Sequence, residues 1–72
     1  MYEVTTKSIG ALVHQIRKQL DLTQKELSLT SGTGLRFIID LEKGKPTCEI
    51  EKVLFVLQTL GVKVHLIPPA SP

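Results

Sequence analysis

The stretch from Leu22 to Pro46 constrains the fold of this 72-residue chain more than any other. Thr23 is followed three residues later by Glu26, the spacing of a capping box, in which hydroxyl and carboxylate each satisfy an orphan amide at a helix start. A helix is therefore expected from about Gln24. Gly32 arrives only two turns later, and a glycine there can take the left-handed backbone that ends one helix and swings the chain into the next. The following helix is expected from near Gly34, through Leu35, Ile38 and Leu41 at three-residue spacing, until Gly44 and Pro46 stop it.

Before this stretch, Ile9, Leu12, Val13, Ile16 and Leu20 form one apolar stripe on a helix capped by Ser8 or Thr6 and ending at Asp21. His14, Gln15, Arg17 and Lys18 fall on the other side. After it, Thr47 is the expected N-cap of a fourth helix, with Glu49 and Glu51 in the first turn to complement the dipole. Ile50, Val53, Leu54, Leu57 and Leu60 make its inward stripe, and Gly61 ends it. Phe55 and Val56 widen the apolar arc, either as further core or as surface buried against a second subunit.

From Val62 the period changes to two. Val62, Val64 and Leu66 alternate with Lys63 and His65, which predicts a short strand whose open edge needs a partner. That partner is either Tyr2 to Thr5 or the same strand of a second copy. Pro68 and Pro69 end the segment, so residues 1–67 are expected as one domain and 68–72 as a flexible tail. Phe55, Val56, Val62, Val64 and Leu66 are the dimer-interface candidates.

A chain of this size has little core to spare, since below ~70–80 residues a core alone rarely yields more than ~3–5 kcal/mol of net stability. A single cysteine, Cys48, forbids an internal disulfide, and two histidines far apart argue against a structural metal. Dimerisation is the support that remains. A hydrophobic content of 42% with 4% aromatics suits an aliphatic helical bundle. No apolar run approaches the ~20 residues that cross a bilayer, and Met1-Tyr2-Glu3-Val4 lacks the basic-then-apolar order of a secretory signal, so a soluble, cytoplasmic protein is expected. The net charge of +2 permits nucleic-acid binding without demonstrating it.

Two short helices joined at a steep angle by a tight turn make a helix-turn-helix unit, whose second helix can enter the major groove of DNA. Leu22-Thr23-Gln24, Leu27, Gly32, Ile38 and the run Leu41-Glu42-Lys43-Gly44-Lys45-Pro46 resemble the Xre/lambda-repressor-like helix-turn-helix family, over about Ile9 to Leu60. The short length and the alternating C-terminal segment are most similar to its HipB-type antitoxin branch. The resemblance implies an all-α, four- to five-helix lambda-repressor-like domain with a short C-terminal strand paired across a homodimer. It further implies repression from a palindromic double-stranded DNA operator and neutralisation of a HipA-like kinase toxin.

Within that frame Gln24 stands at the start of a helix, where its amide either meets a phosphate or caps its own helix. Lys25 beside it adds a second phosphate candidate. With Ile38 and Leu41 inward, Thr33, Gly34, Leu35, Arg36, Ile39 and Asp40 are expected to point outward. Arg36 is the leading base reader, because a guanidinium fork matches the two acceptors of guanine; a phosphate clamp is its alternative. Lys43 and Lys45 flank Gly44 in a loop that relatives lay along the DNA backbone.

Gly34, Leu35 and Ile39 stand where the family usually has polar residues, and Leu29 and Thr30 exchange the usual polar and apolar positions. Leu35 and Ile39 then touch thymine methyl groups or pack inside. A rival reading keeps the fold as a protein-interaction module docking through Leu29, Leu35 and Ile39, and a third is a standalone phage-type repressor. Cys48 near a helix start is a redox sensor or a small filler. His14 and His65 lack ligands at metal spacing, and neither a serine-histidine-acid set nor a glycine-rich phosphate loop is present. No catalysis, cofactor or metal is expected.

Overall fold

The computed structural model describes residues 4–46 and 49–70. Helix α1, Thr6–Gln19, is capped by Thr5 rather than by Thr6 or Ser8. The Ser8 amide donates to the Thr5 hydroxyl at 3.0 Å while the Thr5 amide donates to the Ser8 hydroxyl at 2.7 Å. Ser8 therefore acts as the reciprocal partner of the cap, and the pair satisfies two orphan amides at once. The helix closes on Leu20, one residue short of the expected Asp21, and Asp21 turns the chain with φ +59. Aspartate tolerates that left-handed backbone better than most residues.

Helix α2, Gln24–Ser31, begins where the capping box requires. The Glu26 amide donates to the Thr23 hydroxyl at 3.0 Å, and the Glu26 carboxylate accepts from the Thr23 amide at 2.9 Å. The bond from the Thr23 amide first, and the Thr23 hydroxyl beside it, hold the Glu26 carboxyl below its usual range. Gly32 takes φ 72 and ψ 23 and donates its amide to Ser28 at 3.0 Å, which ends α2 and starts the turn. Helix α3, Leu35–Glu42, follows from Gly34, which offers no side-chain cap.

Helix α4, Ile50–Thr59, starts from Glu49. The expected cap Thr47 and the neighbouring Cys48 lie outside the described residues. Val53, Val56, Leu57 and Leu60 face inward, while Ile50 and Leu54 are exposed. This corrects the expected stripe. The inward set obeys the same three-and-four spacing, so periodicity alone allowed either rotation of this apolar helix. Val56 is fully buried within its own chain and is core, which removes it from the dimer-interface candidates.

Val13, Leu27, Ile38 and Leu41 from α1, α2 and α3 complete the core with those α4 residues, and Ile9, Ile16, Leu22, Phe37 and Val62 pack against it. Leu20, expected inward, is exposed. Gly10 is buried on α1 where a Cβ would overlap the Leu41 carbonyl oxygen, so α1 and α3 meet backbone to side-chain-free backbone.

Among the described residues no strand forms, and four helices are the whole regular structure. The Val62 amide donates to the Leu57 carbonyl at 2.9 Å as the chain leaves α4. Beyond it, residues 63–70 are exposed and irregular. An alternating pattern becomes a strand only where a neighbour supplies the other half of a hydrogen-bond ladder, and no described residue does so here.

Candidate nucleic-acid interface

Arg17 belongs to the inside of the molecule, which corrects its expected place on the side of α1 away from the apolar stripe. Its Nε donates to Glu42 Oε2 at 2.7 Å and its Nη2 to Glu42 Oε1 at 3.1 Å, a bidentate pair, while Nη1 donates to the Leu22 carbonyl at 2.7 Å. The two side chains are only 9% and 5% exposed. A charge pair buried this far persists when hydrogen bonds reach its nitrogens and oxygens, as they do here.

The same carboxylate gathers two more groups. His14 Nδ1 lies 2.8 Å from Glu42 Oε1, and Gln24 Nε2 donates to that oxygen at 3.2 Å. Glu42 thus ties the last turn of α3 to the middle of α1 and the first residue of α2. Burial pushes the Glu42 carboxyl up, but hydrogen bonds from Arg17, His14 and Gln24, with the Arg17 charge behind them, outweigh it and hold the group below its usual range. In the structure Gly10, Val13 and Arg17 share the buried face of α1, and an ionisable residue held there requires an acid opposite.

Gln24 is therefore half-buried with its amide held by a carboxylate, and Lys25 next to it is exposed. Beside them an open polar hollow of about 310 Å³ is lined by Arg17, Lys18, Asp21, Leu22, Thr23 and Gln24. On α3, Leu35 is 42% exposed and the Arg36 side chain 71% exposed, while Gly34 at the helix start is open to solvent. These groups, with Lys43 and Lys45 at the far end of the helix, lie on the accessible side.

Other expected positions are corrected. Thr33 does not point outward: it is buried, its hydroxyl paired with that of Ser31 at 2.9 Å, because the turn after Gly32 brings its amide back to the Ser28 carbonyl at 3.2 Å. Ile39 is only partly accessible. Asp40 is mostly covered, with Arg36 Nε and Lys45 Nζ each 3.4 Å from its Oδ1. Among the described residues none donates a hydrogen bond to that oxygen, and Asp40 faces two cations rather than presenting itself. Among the interface candidates Phe55 and Val64 are about half exposed, Leu66 is almost fully exposed, and Val62 is partly buried against the core of its own chain.

Residues 13–67, from the middle of α1 to the C-terminal segment, match the family model described as helix-turn-helix. The chain is 55% identical over 67 residues to an uncharacterized HTH-type transcriptional regulator of Sinorhizobium fredii, covering 93% of this chain and 88% of that protein. It is 35% identical over 52 residues to an uncharacterized HTH-type transcriptional regulator of Haemophilus influenzae, covering 72% of this chain and 53% of that protein. The capped α2, the glycine turn and the accessible α3 are the structural form of that match, and the chain belongs to the helix-turn-helix family.

Proposed function

We propose that this protein is a sequence-specific DNA-binding transcriptional regulator, a repressor that occupies a palindromic operator as a homodimer. The observation that carries the reading is the accessible start of α3, with Leu35 and Arg36 exposed directly after a glycine turn from a helix whose first residue, Gln24, is itself anchored. Arg36 reads a guanine, Leu35 and the accessible part of Ile39 meet thymine methyl groups, and Gln24, Lys25, Lys43 and Lys45 bind phosphates. Gly34 lets the backbone approach the groove. The names of the two relatives support the same class of function.

The dimer rests on the apolar groups a single chain leaves open. Ile50, Leu54 and Phe55 on α4 and Val64, Leu66 and Ile67 beyond it are exposed large hydrophobics. Pairing of the C-terminal segments across two subunits supplies the ladder that one chain lacks. Size-exclusion chromatography with light scattering tests this, and a monomer at high concentration counts against it. By its resemblance to HipB-type proteins the same dimer captures a HipA-like kinase toxin. Co-purification with the product of a neighbouring kinase-like reading frame supports that role, and its failure leaves a standalone repressor.

Titration of binding to the DNA upstream of its own gene is the direct experiment. The logarithm of the affinity is expected to fall linearly with the logarithm of salt concentration, with a slope of about −0.9 per neutralised phosphate. Arg36→Ala is expected to lower affinity by about 1–3 kcal/mol and relax preference at one base position. An unchanged footprint removes Arg36 from the readers. The rival module, docking a protein through Leu29, Leu35 and Ile39, is favoured by the high exposure of Leu29. It predicts weak, sequence-blind binding to DNA at low salt only.

A further inference from the structure

We propose that His14 is a further phosphate contact, made only by its protonated form and positioned by Glu42 beside Gln24; this rests on the DNA-binding reading above. His14 Nδ1 and Gln24 Nε2 approach one and the same oxygen, Glu42 Oε1, at 2.8 and 3.2 Å, so the two polar groups lie side by side. The His14 side chain is 55% exposed although the oxygen it holds is buried. Its inner nitrogen is spoken for and its outer edge is open.

The chemistry of the contact fixes the tautomer. An ionised carboxylate only accepts, so the 2.8 Å contact makes Nδ1 the donor. Arg17 Nη2 also lies 3.3 Å from Nδ1, but that guanidinium nitrogen is already committed to Glu42 Oε1 at 3.1 Å, and the shorter bond decides. With the proton on Nδ1, Nε2 of the neutral ring carries a lone pair and repels a phosphate oxygen. Protonation turns Nε2 into a charged donor while the Glu42 bond stays intact.

The charged groups that bear on this proton are few. On its own helix they are Arg17 and Lys18 one turn on, and from α3 the Glu42 carboxylate; from α2 the neighbour is the uncharged Gln24. A DNA phosphate at Gln24 adds the negative charge that shifts the balance, so DNA binding takes up as much as one proton per subunit at this site. By linkage, affinity then rises as pH falls.

The test is operator affinity of the intact protein at pH 6, 7 and 8 at constant salt, for the wild type, His14→Gln, His14→Lys and His65→Gln. The chain has only two histidines, so His65→Gln controls for the other one. Wild type and His65→Gln are expected to bind about threefold to tenfold more tightly per subunit at pH 6 than at pH 8, with a salt slope steeper by about 0.9 per subunit at pH 6. His14→Gln is expected to show neither change, and His14→Lys to bind at pH 8 as the wild type does at pH 6. Thermal unfolding of each variant verifies that it is folded. A His14→Gln variant that keeps the pH dependence, or a wild type that binds DNA with a steep salt slope but no pH dependence, overturns the inference alone. Absence of operator binding at every pH overturns the function on which it stands.

Discussion

Arg17→Ala is expected to lower the free energy of unfolding by about 3–5 kcal/mol, because it leaves the Glu42 carboxylate buried without its charge partner. Arg17 Nε stands 2.7 Å from Glu42 Oε2, and both side chains are over nine-tenths buried. A core this small alone rarely supplies more than about 3–5 kcal/mol, so that loss is as large as the core's whole contribution. Circular dichroism during urea unfolding is the measurement, and a variant with an unchanged midpoint would refute the assignment.

The paired change Arg17→Met with Glu42→Leu removes both charges and is expected to recover most of the stability, as apolar replacements of buried pairs do. It also deletes the oxygen that holds His14 and Gln24. The double variant should therefore fold and bind DNA more weakly than the wild type, which separates the structural role of the pair from its positioning role. The acid limb gives a further check. Glu42 has its folded pKa depressed below 4.5, so its contribution is fully present above that value and is lost as pH falls through the lowered folded value. Acid unfolding of the double variant should be shallower than that of the wild type, and not flat, since Glu26 is depressed in the same sense and remains.

Gly10→Ala carries the second large effect and reverses the sign that local preference suggests. In an isolated helix alanine is more favourable than glycine by about 1 kcal/mol. Here the added Cβ overlaps the Leu41 carbonyl oxygen and comes within 3.2 Å of the Glu42 carbonyl group. Both are backbone and cannot rotate aside, so α1 and α3 must move apart. The expected loss is about 3 kcal/mol, the upper end of overpacking. Because α3 carries Glu42 and Arg36, the same shift should weaken operator binding in whatever fraction remains folded. A stabilised Gly10→Ala protein would mean that the two helices are not in contact at this point.

The parts of the site legible from sequence are those fixed by neighbours in the chain. Thr23 and Glu26 bond across three residues, Gly32 takes a backbone that only its own torsions decide, and the start of α2 and the course of α3 follow from them. The rotation of α4 escaped because its apolar residues satisfy the helical period in two registers, and only packing into the shared core chose Val56 over Leu54. The expected strand after Val62 escaped for the opposite reason: its pattern is clear, but a strand is a property of a pair.

By itself, then, the order of residues determined which short segments coil, where the second begins and ends, and that the second and third are joined by a sharp turn, since hydrogen bonds within one helical turn decide these. Only the tertiary structure decided that Arg17 faces inward and that His14, Arg17 and Gln24 converge on Glu42. The Arg17 bond spans 25 residues and the His14 bond 28. Bonds of that span depend on where whole helices are laid, which the shared core sets and no local pattern encodes.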